Sequence, residues 1–421
     1  IVGMRNGGEG YLALDVTDPD ATSGAHGPYP RFLWELADAS EPLGRTWSSA
    51  VVTRVKLRGS FGSDVCGPSD GDGAASPTSP GNCREEWVAI FGAGYLDQGD
   101  TSSPDFIDDP ADPLWQDDSK GIFMVSLARG QILARVSYDA ADPVLAEMKY
   151  SFPSDPAVLD LDFDGFADVV YIGDTGGQLW KWDVSQVGVK DGTGRVPSSV
   201  WPVGRFFVAP QASNGHYRSF FFSPAAAFVK GELVLSIGTG ERTDLTYVST
   251  AGVDENHYYV IKDPNPTGSG ALLDPPYGIA DLTLLNGSGA DPEPTDLGFY
   301  LVGGPNEKFV SDSLTIAGFA ITASYTPEID STRPLCEVKG DAFLYIFSLS
   351  DGSGFFTDPS GNPDAARRLR VGSGLPSSPR ITVTGDTTRV VVQTSDGALG
   401  SGPAPSEDVK PVELIFWEQE L

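Results

Sequence analysis

Apolar residues in this chain come in short runs, and most runs stop at a glycine, an aspartate or a serine. Tyr11-Leu12-Ala13-Leu14-Asp15 leads through a polar turn to Phe32-Leu33-Trp34-Glu35-Leu36. Trp87-Val88-Ala89-Ile90-Phe91-Gly92 precedes Ile122-Phe123-Met124-Val125-Ser126, which turns at Arg129-Gly130 into Ile132-Leu133-Ala134-Arg135-Val136. The stretch 167–173 turns at Thr175-Gly176-Gly177 into Gln178-Leu179-Trp180-Lys181-Trp182-Asp183. Further pairs are 232–238 with 257–263, and 319–323 with 342–347; the run 389–394 precedes a last turn at Asp396-Gly397. No long stretch sustains the period of about 3.6 residues that a helix would need, so these runs predict strands. A β unit that recurs every 40–60 residues or so is the sequence signature of a propeller. The expectation is an all-β fold, a β-propeller of about seven blades modified by loop insertions. It would occupy 1–421 as a single domain, because no linker divides the chain. Polar stretches near 64–82, 97–120, 264–296 and 351–366 are expected to be insertions between strands.

Composition supports this picture. The chain has 421 residues with 50 Gly and 33 Pro, residues that favour turns over helices. Hydrophobic residues at 40% and aromatics at 10% suffice for a large core, so the acidity is not that of a disordered tail. A formal charge of −30 repels phosphate backbones and argues against nucleic acid as a partner. No apolar run approaches the roughly 20 residues of a membrane span. The first residues, Ile1-Val2-Gly3-Met4-Arg5, read as the inside of a strand rather than a leader peptide, and a missing N-terminal region is expected.

One motif carries chemistry. In Asp160-Leu161-Asp162-Phe163-Asp164-Gly165-Phe166-Ala167-Asp168, carboxylates stand at the first, third, fifth and ninth places and Gly165 at the sixth. That spacing is EF-hand-like: alternate residues of a tight loop converge, Gly165 permits the sharp turn, and the Phe166 carbonyl supplies a further oxygen. Hard oxygen donors in this number suit Ca²⁺ better than Mg²⁺. The twelfth place, where an EF-hand has a bidentate Glu, is Tyr171 within an apolar run, so the loop should exit into a strand with weakened affinity. A second acidic stretch, Asp97, Asp100, Asp105, Asp108, Asp109, Asp112, Asp117 and Asp118, is irregular and broken by prolines; it is expected to be a solvated insertion.

Cys66 and Cys83 bracket a loop rich in Gly, Ser, Pro and Asp. A disulfide between them is expected, closing a loop of about 16–18 residues and contributing roughly 3 kcal/mol. Cys336 is left over. Enzyme signatures are lacking: His26, His216 and His257 are scattered, and there is no nucleophile elbow, P-loop or dinucleotide fingerprint. Gly238-Thr239-Gly240-Glu241-Arg242 follows a strand but leads into a polar loop, so it is expected to be a turn, and His257 to be packed rather than catalytic.

Several segments, in order along nearly the whole chain, resemble the C-terminal propeller domain of the PilY family of type IV pilus tip-associated adhesins and biogenesis factors. They are 2–8 with 11–19, Leu43-Gly44-Arg45-Thr46-Trp47-Ser48, 89–95, 160–183, Ser223-Pro224-Ala225 with 237–242, and 372–379. The resemblance implies a non-enzymatic, calcium-binding propeller whose ligands fall on Asp160, Asp162, Asp164, Asp168 and the Phe166 carbonyl. It implies an extracellular place at the pilus tip or cell surface, and support of pilus extension, surface adhesion and twitching motility. The partners it implies are minor pilins of the tip complex, the protein's own N-terminal region, and host or abiotic surfaces. The Arg-Gly-Asp tripeptide of some members is missing, so integrin binding is not carried over. The Trp-rich strand 179–183 is similar in texture to quinone-dependent dehydrogenase propellers, without their adjacent cysteine pair. An integrin-α-like adhesion propeller is the other alternative, although its calcium loops recur whereas the full loop occurs once here.

Overall fold

Short apolar runs punctuated by turn residues become strands almost throughout. The computed structural model describes residues 1–405 except 38–39, 59–82, 97–106, 269, 271, 286–296, 329–339, 358–361, 363–365 and 385–386. Among the described residues, helix is limited to single turns at Arg5–Gly7, Leu145–Glu147 and Ile279–Asp281 and two residues at 366–367. None is long and apolar enough to cross a membrane. The described strands form six sheets, mostly antiparallel meanders. Such repeated small sheets are the blades of a β-propeller, set against the expectation of about seven. The chain divides into two compact units.

The first unit comprises Ile1–Gly99, Asp105–Phe207 and Asn265–Pro276. Its first sheet has the order β1 (Val2–Gly3), β2 (Tyr11–Asp15), β3 (Arg31–Leu36). The second runs β4 (Val51–Arg58), β5 (Cys83–Gly92), β6 (Gly121–Ser126), β7 (Ile132–Ser137), each strand antiparallel to the one before. A third holds β8 (Ala157–Leu159), β9 (Val169–Gly173), β10 (Gln178–Asp183) and β11 (Val203–Val208), again in sequence order.

The middle strands of the second sheet explain why their sequences read as unbroken apolar runs. On β5, Val88 and Ile90 belong to one buried cluster, with Trp180, Trp182 and Phe152. Ala89 and Phe91 belong to another, with Tyr11 and Trp34. Side chains alternate between the faces of a strand, so this sheet buries both faces, and the consecutive positions 88–91 are all apolar. Neighbouring sheets are tied by tryptophans as well. The Trp34 indole N–H donates to the Leu127 carbonyl at 2.7 Å, and its ring covers Gly130 in the β6–β7 turn. Gly130 has φ +67° and would place a Cβ 2.7 Å from that ring, so both backbone and packing require glycine there.

The second unit comprises Asp100–Pro104, Val208–Pro264 and Tyr277–Leu421. It contains β12 (Ala225–Val229), β13 (Glu232–Gly238), β14 (His257–Asp263), β15 (Tyr277–Gly278), β16 (Thr283–Leu285) and β17 (Gly298–Val302). It continues with β18 (Lys308–Phe309), β19 (Leu314–Ile316), β20 (Phe319–Pro327), β21 (Gly340–Ser348) and β22 (Arg368–Ser373). The last sheet is β23 (Arg380–Thr384), β24 (Thr387–Gln393), β25 (Leu399–Pro403). The same two-faced burial recurs: Tyr345 and Phe347 of β21 pack into one cluster and Leu344 and Ile346 into another.

The aromatic strands lie where the sequence predicts them, and β2, β10, β13 and β14 match to the residue. One expectation is corrected. The stretch 264–296 is not all insertion, since β15 and β16 lie in it and β16 pairs parallel with β17. The pattern missed them because they are only two and three residues long. All of 64–82, with Cys66, and Cys336 lie outside the described residues. The backbone of Cys83 opens β5 opposite Arg58, so the loop between β4 and β5 does span a hairpin base.

Candidate metal centre

The acidic loop 160–168 joins β8 to β9, whose last register pair is Leu159 with Val169. The Asp168 N–H donates to the Leu159 carbonyl at 2.8 Å and closes the base. Within the loop, carboxylates accept from the backbone in a chain of tight turns. Asp160 Oδ2 takes the Gly165 N–H at 2.7 Å, Asp162 Oδ1 the Asp164 N–H at 3.2 Å, Asp164 Oδ1 the Phe166 N–H at 3.0 Å, and Asp168 Oδ2 the Leu161 N–H at 2.7 Å. Asp side chains bonding backbone two residues on are the usual makers of such turns. Gly165 sits at φ +85° as the spacing requires, and Phe163 adopts φ +61° at the exposed tip.

These turns gather carboxylates. One oxygen from each of Asp160, Asp162 and Asp168 lies within 4.8 Å of the other two. Burial pushes the Asp168 carboxyl up to about 6; the Leu161 hydrogen bond opposes this, while the charges of Asp162, Asp160 and Asp164 add to it. Asp160 is raised too, chiefly by burial, with the Gly165 hydrogen bond opposing and the Asp164 and Asp162 charges adding. Its Oδ1 is buried and has no hydrogen-bond partner. A buried, unpartnered carboxylate oxygen beside two further carboxylates is a costly arrangement for a protein alone and a fitting one for a hard dication. The donor set, all oxygen, suits Ca²⁺.

One other predicted carboxylate is placed differently. Asp164 stands apart from the cluster, with its Oδ2 against the Lys56 ammonium. The Phe166 ring lies beneath two of the three basic groups of β4, 5.0 Å from the Arg54 guanidinium carbon and 5.0 Å from Lys56 Nζ. Arg54 Nε donates to the Gly165 carbonyl at 2.9 Å, and its Nη1 pairs with Glu85 at 3.3 Å. Sequence reasoning missed Arg54 and Lys56. Their signal was the alternation of basic with apolar residues in Thr53-Arg54-Val55-Lys56-Leu57-Arg58, which puts all the positive groups on one strand face.

The remaining described candidates are structural, while Asp97, Asp100 and Asp105 lie outside the described residues. In the second acidic stretch, Asp109 Oδ1 accepts from Ala111 N–H and Asp112 Oδ1 from Leu114 N–H, so these residues make turns. Among the described residues no metal-type cluster occurs there. His257 is buried, its Nδ1 is 2.8 Å from the Tyr259 hydroxyl, and burial lowers its pKa to about 3, leaving it neutral and packed. The turn after β13 passes close to its surroundings: Gly240 N–H donates to Ser219 O at 3.0 Å, and a Cβ on Gly240 would lie 2.8 Å from Phe309 O. Its glycines serve packing.

No protein-family model matches the chain. It is similar to the type IV pilus biogenesis factor PilY1 homolog of Xylella fastidiosa, 28% identical over 206 residues, which is 46% of this chain and 10% of that protein. The type IV pilus biogenesis factor PilY1 of Pseudomonas aeruginosa PAO1 is 24% identical over 182 residues, 43% of this chain and 11% of that protein. The matches thus span about a tenth of these relatives' length. Among solved structures, the Pseudomonas aeruginosa PilY1 C-terminal domain superposes with a TM-score of 0.59 at 18% identity, covering 96% of this chain and 80% of that one. The chain has the fold of that C-terminal domain, and in sequence it resembles PilY1 proteins over somewhat less than half its length.

Proposed function

We propose that this chain is the propeller portion of a calcium-binding type IV pilus biogenesis factor that catalyses no reaction. The relatives named above are pilus biogenesis factors, which supports the pilus assignment. The observation that carries the calcium assignment is the convergence of Asp160, Asp162 and Asp168, with Asp160 Oδ1 buried and unpartnered. The ion would relieve repulsion among the carboxylates and fix the start of β9. Because β9 pairs with the Trp-bearing β10, the surface around this hairpin would be fully formed only with the ion bound. In this reading the chain works at the pilus tip or cell surface, docks minor pilins or its own N-terminal region, and supports pilus extension, twitching and adhesion to host or abiotic surfaces.

Calorimetry of the purified chain should give one calcium site, which Asp160→Asn weakens by about tenfold or more through loss of a charged ligand. A parent without calcium heat at millimolar metal would refute the metal assignment. The biological half is tested in the source strain by Asp160→Ala or Asp168→Ala in the full-length protein. At parental protein levels, surface pili and twitching should fall. Unchanged piliation, twitching and adhesion, with calcium binding lost, would leave the ion without a regulatory role.

A further inference from the structure

We propose that Lys56 sets the calcium affinity of the 160–168 loop, acting as a built-in cation that holds Asp164 out of the metal's reach. The inference rests on the calcium reading of the loop and concerns how the site is tuned. Four carboxylates in the loop divide three to one. Asp160, Asp162 and Asp168 face one another, while Asp164 directs Oδ2 to Lys56. That ion pair is shielded: the Lys56 side chain is 15% exposed and that of Asp164 16%. The Phe166 ring lies 5.0 Å from the ammonium and helps keep it in place. On the same face of β4, Arg54 holds the next carbonyl, that of Gly165. One strand thus grips two consecutive residues of the loop from a place more than a hundred positions away in the chain.

Two electrostatic consequences follow, with the same sign. A shielded positive charge beside the site opposes a second cation. A carboxylate engaged by Lys56 is also withheld as a ligand. Removing the Lys56 charge therefore favours the metal by both routes. It also leaves the metal-free loop with four mutually repelling carboxylates and one fewer compensating charge. Lys56 would then make the loop well formed without calcium and let it respond only at higher calcium concentrations, which suits a sensor better than a permanent structural ion.

The test is calcium titration of the whole chain by calorimetry, with Lys56→Met, Lys56→Gln and Lys56→Arg beside the parent. Met keeps the aliphatic packing on Phe166, and Gln guards against a folding failure specific to Met. Both neutral variants should bind calcium about tenfold tighter, whereas Lys56→Arg should match the parent. Thermal unfolding should show a larger calcium-induced stabilisation for the neutral variants than for the parent. A cycle with Asp164→Asn adds a readout that a merely structural Lys56 would not move. The substitution should cost more calcium affinity in the Lys56→Met background than in the parent, because Asp164 becomes a ligand only when released. Parent binding with equal or weaker affinity in both neutral variants would overturn the proposal while leaving the calcium site intact. No calcium binding in the parent or in any variant would overturn both.

Discussion

Asp174, at the turn between β9 and β10, offers a pH-resolved test of how the third sheet is held. Its side chain is buried, with Oδ1 accepting the Gly176 and Gln178 N–H groups at 2.9 Å each and Oδ2 accepting the Trp180 indole N–H at 2.9 Å. Asp174→Asn keeps the shape but has only one acceptor oxygen. Whichever way the amide turns, its NH₂ group faces an N–H donor, so at least one buried donor loses its partner. That should cost about 1–3 kcal/mol. Burial, opposed by those hydrogen bonds, pushes the Asp174 carboxyl up to about 7. In an unfolded chain an aspartate titrates near pH 3.9. The folded state therefore holds the extra proton between roughly pH 4 and 7, and stability from this group is greatest below that window and falls as pH rises through it. The difference of about three pKa units corresponds to a loss on the order of 4 kcal/mol. Asparagine does not titrate, so the variant's deficit relative to the parent should be largest below about pH 4, shrink as pH rises through 4–7, and vanish or reverse by pH 8, because the parent's loss across that window exceeds the cost of the substitution. Urea unfolding of both proteins at several pH values, followed by tryptophan fluorescence, measures this. A deficit that is constant, or that grows with pH, would refute the argument.

Gly165→Ala should destabilise the chain by about 1–2 kcal/mol, since Gly165 has φ +85° and a Cβ there would meet Arg54 Nη2 at 2.0 Å; thermal unfolding reads the loss, and calcium affinity should fall with it. Glu41→Ala removes the carboxylate that accepts from both Arg135 and Arg195, drawing β7 and the 191–196 loop to the segment before β4. It should cost about 1–3 kcal/mol, and an unfolding midpoint equal to the parent's would show the two ion pairs to be idle. Limited proteolysis examines the single-domain expectation: cuts within the polar insertions 64–82 or 97–120 should precede any cut in a strand, and two stable halves from a single cut would contradict it.

The strands and their turns were legible in the sequence because the signals behind them are local. A run such as Val169-Val170-Tyr171-Ile172-Gly173 is long enough in apolar, β-branched and aromatic residues to declare a buried strand. Glycines and aspartates at fixed offsets mark its ends. The acidic loop was legible for the same reason, since its turns are made by each Asp with backbone a few residues away. The very short strands β15 and β16 escaped, because two or three residues carry no period and are strands only through their partners. The fate of each carboxylate was likewise beyond local reading. Spacing treats Asp160, Asp162, Asp164 and Asp168 as equals. Tertiary structure separates them by bringing Lys56 and Arg54 of β4 against one corner of the loop, across 108 and 111 positions of chain. Spacing could assemble four acids on one loop; only packing decides which acid meets a cation of the protein's own, because Coulomb interactions depend on distance in space and not on separation along the chain.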